Sequence, residues 1–240
     1  NMLKFNTTFP INLHVFSNLN LPLLHKDINQ HKEPLLSCHE EIKHLNYRKE
    51  VGLCDKQLGN LQGKRVFFFD LDIVITGNLD DLFSYPEEDD FYIIKDWNTK
   101  GSHVGQATCY SFVVGTLGYI RDTFEHNWQL YVEKFGTASQ EYLSAKIIEK
   151  KGSLNFWPAH WFASFKYHCL PHVLLRHFLT PKPPNQHTKV LCFHGYPNID
   201  DAIMGRWSSP TAKKPAKGWK KIYKSCRPTY WIKNYLRDDG

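Results

Sequence analysis

The feature that most constrains this chain is an alternation of short apolar runs with stretches of helical spacing. Apolar runs bounded by turn residues lie at 11–16, 66–69, 91–94, 109–114 and 190–193, and each reads as a buried strand. Between them, 119–135 carries Ile120, Phe124, Trp128 and Tyr131 on one stripe, and 140–150 carries Tyr142, Leu143, Ile147 and Ile148. Both predict helices, with a third over 36–54. Strands alternating with helices imply an α/β layer fold of Rossmann-like type, with a mixed, mainly parallel sheet flanked by helices. A length of 240 residues suits one domain, expected over 1–204 and followed by a basic tail over 205–240. Four prolines between Pro171 and Pro184 would interrupt any regular element there.

Composition narrows the class. No apolar run reaches 18 residues, so no transmembrane helix is predicted, and no secretory signal pattern opens the chain. The first residue is Asn1, which reads as a trimmed or fragmentary start. Six cysteines (Cys38, Cys54, Cys109, Cys169, Cys192, Cys226) are scattered without a CxxC pair, as expected of reduced thiols in a cytosolic protein. The net charge of +6 is uneven: from Gly205 to Gly240 there are ten Lys or Arg against two Asp. Such a tail attracts phosphate-rich partners, an anionic membrane surface above all, or is simply a solvated end. It lacks any nucleic-acid reader motif, so no nucleic acid is expected.

The most informative segment runs Arg65-Val-Phe-Phe-Phe-Asp70-Leu-Asp72-Ile-Val-Ile-Thr-Gly77-Asn-Leu-Asp80-Asp81-Leu-Phe83. Its apolar strand, expected to be buried on both faces, delivers Asp70 to a C-terminal strand end, where open α/β sheets bind ligands. In an extended chain Asp70 and Asp72 point the same way, because side chains alternate with period two. Paired carboxylates repel, and a divalent cation such as Mn²⁺ or Mg²⁺ relieves the repulsion. Asp80 and Asp81 open a short helical segment and are read as helix-start residues without chemistry.

A second apolar strand, Val190-Leu-Cys-Phe, ends in His194-Gly195-Tyr-Pro197. Gly195 permits close approach of a ligand to the backbone. His194 is thus a ligand-capable residue at a strand end, and Pro197 stiffens the exit of the chain.

The stretch FFFDLDIVITGNLDDLF resembles the DxD region of glycosyltransferase family 8 and its bacterial relatives, and FHGYP resembles that family's late FHGxP motif. The resemblance implies a GT-A-type fold and Mn²⁺-dependent transfer of a sugar from a nucleotide-diphosphate donor such as a UDP-sugar to a glycan acceptor, with retention. It places Asp72 and His194 on the metal in an O,O,N set with Asp70, which meets either the metal or the nucleotide's ribose side, Gly195 against the diphosphate, and Lys49 (or its neighbour Arg48) at the donor phosphates. Asp96 is implied at the sugar hydroxyls and Gln140 beside the anomeric carbon. Gln106 and Ser139 depart from the family pattern, Ser139 standing where relatives carry an acid. Trp157, Trp161, Phe165 and Lys166 read as one aromatic cluster, either facing the acceptor or forming core. By the same analogy the protein would work in the cytoplasm, at the inner membrane face, and its start would lack the relatives' first strand.

Two rival readings stand beside this one. A haloacid dehalogenase-type phosphatase also begins with an apolar strand and DxD, with Asp70 as nucleophile, Asp72 as general acid and Mg²⁺ bound. A catalytically impaired binding protein would fit Ser139, Gln106 and the late start.

Overall fold

The computed structural model describes residues 2–19, 21, 26–97, 103–208 and 223–236. The strands are β1 Leu13–Phe16, β2 Ile28–His31, β3 Arg65–Phe69, β4 Ile73–Ile75, β5 Tyr92–Lys95, β6 Gly105–Val113, β7 Asn155–Phe156, β8 Phe162–Ser164 and β9 Val190–Cys192. The helices are α1 Met2–Phe5, α2 His39–Ile42, α3 Tyr47–Glu50, α4 Asp80–Ser84, α5 Gly118–His126, α6 Trp128–Phe135, α7 Ser139–Lys151 and α8 Ile199–Ile203. The α/β class expected from the alternation is the class observed. Among the described residues the strands divide among three sheets, and both larger ones mix parallel with antiparallel pairs.

The chain forms two compact units, one of Pro10–Phe68 and Phe83–Trp157, the other of Asn1–Phe9, Phe69–Leu82 and Pro158–Gly240. The first holds the sheet β3-β6-β5-β7 and the parallel pair β1-β2. Its core gathers Tyr47, Phe112, Phe124 and Tyr142, all essentially excluded from water. Tyr47 stacks on Phe124 with centroids 4.6 Å apart, and the Tyr142 ring meets Phe124 edge-on at 5.2 Å. β5 pairs antiparallel with β6, and the register slips between Ile93 and Ile94. Gly105 stands at that slip because a Cβ there would meet the Ile93 side chain at 2.5–2.9 Å.

The helix expected over 119–135 is broken at Asn127, whose φ of −139° and ψ of 42° lie outside helical space. Asn side chains compete for backbone hydrogen bonds and so favour helix ends. The break turns α6 enough that none of its residues is fully buried. The segment 36–54 likewise becomes single turns, α2 and α3, then a 3₁₀ turn over Gly52–Cys54.

The second unit holds the sheet β4-β9-β8. Val74, Leu191, Phe193, Ala163 and Phe165 form its core, joined by Cys226 and Ile232. Cys226 and Ile232 belong to the stretch expected as a basic tail, and both are core residues of this unit. Trp231 ties it further, its Nε1 donating to the Pro181 carbonyl at 2.9 Å. All six cysteines are free thiols, as the scattered spacing implied, and the structure buries every one of them. Among the described residues no helix is long and apolar enough to cross a membrane.

Candidate functional site

The antiparallel pairing of β4 with β9 sets Ile73 opposite Cys192. The residues just before β4 and just after β9 consequently share one end of the sheet. Pairing continues one step further, because the Phe193 N–H donates to the Asp72 carbonyl at 2.9 Å. The acidic turn Asp70-Leu71-Asp72 and the turn His194-Gly195 are thus brought side by side within one unit.

Two expectations about this turn need correcting. β3, which leads into Asp70 and lies at the edge of its sheet, is half-buried along its whole length. The strand buried on both faces is β4, after the acids. The chain also bends at Leu71 and Asp72 instead of running extended, leaving Leu71 97% exposed. The period-two argument for parallel carboxylates does not hold across a bend.

His194 is held from three sides by β8 and the π-helical turn over Phe165–Cys169 that follows it. β8 runs parallel to β9 with Ser164 beside Cys192, so His194, two residues beyond Cys192, falls on the Ser164 side. The Ser164 hydroxyl lies 2.7 Å from His194 Nε2, and the Tyr167 ring stacks on the imidazole at 5.7 Å. The Lys166 ammonium donates to the His194 carbonyl. A Cβ on Gly195 would come within 3.3 Å of Lys166 Nζ, and the φ of +68° at Gly195 also favours glycine. Both facts give Gly195 a reason independent of any ligand.

The electrostatics mark this end of the sheet. Burial, reinforced by the like charge of Lys224, pushes the Lys166 ammonium below its usual value, while the Asp72 carboxylate pulls the other way. Beneath the turn, burial pushes the Cys192 thiol far up, and the charges of Asp72 and Asp70 add to it. Cys192 is accordingly a protonated core thiol, and both acids lie within electrostatic range of it.

The residues do not form a preassembled cation cage. Among the described residues no three His, Cys, Asp or Glu side chains are arranged to hold a metal ion, Asp70, Asp72 and His194 included. His194 Nε2 is engaged by Ser164, so a metal on that nitrogen would displace a hydrogen bond. What the arrangement supplies is two acids, an imidazole and an ammonium on adjoining turns.

The remaining candidates belong to the other unit. Lys49 Nζ lies 3.6 Å from Glu50 Oε1 and 5.7 Å from the centre of the Phe68 ring. Arg48 faces Glu33 at 3.7 Å. The Gln140 side-chain oxygen accepts from the Ala107 N–H at 3.4 Å, and Asp96 continues the β5–β6 pairing through its N–H to the Val104 carbonyl. Gln106 is folded onto Thr108, accepting from its N–H at 2.9 Å. Ser139 donates to the carboxylate of Glu50, a 5% exposed acid, at 2.9 Å. A buried carboxylate from α3 thus lies against the Ser139 hydroxyl.

The expected aromatic cluster divides. Trp157 stacks on Tyr92 at 5.1 Å, whereas Phe165 stacks on Phe193 at 4.7 Å and Trp161 takes the Lys189 ammonium over its ring at 5.1 Å. A depression of about 280 Å³ lies beside Trp161, at the opposite end of the β4-β9-β8 sheet from the acidic turn. Its polar groups satisfy one another, Lys189 Nζ bonding Asp81 Oδ2 at 2.7 Å and the Asn78 carbonyl at 2.8 Å. Sequence reasoning missed Ser164 and Tyr167 and gave Lys166 no part at His194. No local signal marks them, because the π-helical turn that aims them depends on β8 lying beside β9.

No family model and no curated protein matches this chain. Among solved structures it is similar to the glycosyltransferase GlyE of Streptococcus pneumoniae TIGR4. With the apo form it shares 12% identity at a TM-score of 0.43, over 88% of this chain and 46% of that one. With a second GlyE structure it shares 13% identity at a TM-score of 0.40, over 88% and 53%. The chain spans about half the length of the GlyE structures it matches.

Proposed function

We propose that this chain belongs to a glycosyltransferase that takes its sugar from a nucleotide-diphosphate donor, a UDP-sugar in the first instance, and passes it to a glycan acceptor. The observation that carries the reading is the 2.9 Å bond from the Phe193 N–H to the Asp72 carbonyl, which joins the DxD turn to the His194-Gly195 turn. The motif resemblance of both turns to glycosyltransferase family 8 supplies the chemistry.

In this reading the donor's diphosphate lies over the two turns. Departure of the nucleotide leaves negative charge on its phosphate, and preorganised cationic or hydrogen-bonding groups lower the barrier by meeting that charge. Lys166 is the ammonium in position to do so, held by the His194 carbonyl. The Ser164 hydroxyl fixes the imidazole plane and with it the path of the following turn. Mn²⁺ or Mg²⁺ is assigned no step, since the side chains alone do not assemble a three-ligand shell. Gln140 and Asp96 at the sugar, Lys49 at the phosphates, retention of configuration and the hexosyl identity of the group moved belong to the proposal on family resemblance.

The test is calorimetric titration of UDP with and without Mn²⁺, followed by UDP-sugar hydrolysis. Binding that weakens on Asp72→Asn and on Lys166→Ala, with donor hydrolysis slowed by Gln140→Ala, is the expected result. A protein that ignores UDP yet hydrolyses p-nitrophenyl phosphate, with loss on Asp70→Asn, would establish the phosphatase reading instead.

A further inference from the structure

Residues 172–182 carry an inverted loop. Their one charged side chain before Lys182, Arg176, turns inward, while the apolar residues around it turn out. Arg176 Nε donates to the Pro171 carbonyl at 3.2 Å, its Nη1 donates to the Tyr223 carbonyl at 2.9 Å, and its guanidinium lies 5.6 Å from the Trp207 ring. Leu174, Leu175, Phe178 and Leu179 are exposed at 71%, 46%, 75% and 48%. A water-facing loop ordinarily does the reverse, burying its leucines and hydrating its arginine.

This loop is also well tethered. The Leu175 N–H bonds the His172 carbonyl at 2.8 Å, and the Phe178 and Leu179 N–H groups both reach the Leu175 carbonyl. Arg227 Nη1 caps the His177 carbonyl at 3.0 Å, and the Lys182 N–H returns to the Cys169 carbonyl at 3.0 Å. The four apolar side chains are therefore presented on a braced scaffold.

The charge around them selects the occupant. No carboxylate occurs between Glu149 and Asp200, nor from Ala202 to Arg237. Lys182 closes the loop, Arg227 bonds its His177 carbonyl, and Lys224 follows Tyr223, whose carbonyl accepts from Arg176. Apolar side chains flanked by these three cations match the interface of an anionic bilayer, where rings and leucines enter the headgroup region and basic side chains stay with the phosphates. A second copy of the chain would set like charges against each other.

We propose that Leu174, Leu175, Phe178 and Leu179 form a wedge that seats this protein on a membrane surface containing anionic lipid. The surface is distinct from the acidic turn, and the proposal stands independently of the transferase reading.

The experiment is co-sedimentation of the full chain with phosphatidylcholine vesicles, with and without phosphatidylglycerol. The chain should pellet with the phosphatidylglycerol vesicles. The double variant Leu174→Gln with Phe178→Gln should lose about tenfold or more of that partitioning while keeping its melting temperature, because it removes only exposed apolar surface. As a second readout, Phe178→Cys labelled with an environment-sensitive dye should shift blue on those vesicles. The six natural thiols are buried and leave that label selective. Wild-type protein that stays in the supernatant, a double variant that pellets unchanged, or a dye that does not shift would each overturn the proposal. So would a dimer abolished by the double variant in a chain that binds no vesicle, which would assign the patch to a second copy.

Discussion

Ser164 and His194 offer the sharpest test of the site geometry, through a double-mutant cycle. Ser164 is wholly buried, and its hydroxyl lies 2.7 Å from an imidazole that is itself half-buried. A neutral hydrogen bond contributes about 0.5–1.5 kcal/mol net, and a buried partner left unsatisfied costs about 1–3 kcal/mol. Ser164→Ala leaves the half-buried imidazole able to recover water, so its cost should fall near the low end, about 1 kcal/mol. His194→Ala strands a wholly buried hydroxyl and removes the 5.7 Å stack with Tyr167. It should cost more, about 2–3 kcal/mol, with the stack accounting for about 0.5–1 of it. The two changes share one bond, so the double variant should be less destabilised than the sum by about 1 kcal/mol. Urea unfolding followed by tryptophan fluorescence measures all four proteins, provided the denaturant slope stays constant. A coupling energy within about 0.3 kcal/mol of zero would show that the hydroxyl and the imidazole do not meet. The β8–β9 register on which the site rests would then be wrong.

Two further predictions probe the framework. Gly105→Ala places a Cβ against the Ile93 side chain at 2.5–2.9 Å and should destabilise the protein by about 1–3 kcal/mol, read as a lowered melting temperature. Asp80 accepts hydrogen bonds from the Thr7 hydroxyl and from the Thr8 N–H and hydroxyl, with the Thr7 bond holding its carboxyl down to about 2. Because the folded value lies below the ordinary 3.8, this contribution is present above that value and is lost as pH falls through about 2. Thr7→Val should raise the Asp80 titration toward the ordinary range in a carboxyl NMR titration, and an unchanged midpoint would refute the assignment.

Much of the local architecture was legible without coordinates. The run at 66–69 lies in β3, those at 91–94 and 109–114 fall in β5 and β6 but for Phe91 and Val114, and Val190–Cys192 forms the strand read at 190–193. Tyr142, Leu143 and Ile147 are the buried stripe of α7, as their spacing required. These features depend on residues within a few positions of one another, where period and turn chemistry act directly. The helix over 119–135 was misjudged because an apolar stripe outweighed one Asn in the pattern, whereas the backbone at Asn127 left helical space.

The amino-acid sequence by itself determined the α/β class and the apolar strand that leads into His194, since both follow from short-range periodicity and composition. Only the tertiary structure decided that β3 would be an edge strand, that the acidic turn would bend, and that Ser164, Lys166 and Tyr167 would enclose His194. It alone turned Arg176 inward and four apolar neighbours outward. The reason is physical: each of these depends on which distant segment lies beside the residue, and strand pairings over a hundred residues apart leave no imprint on local spacing.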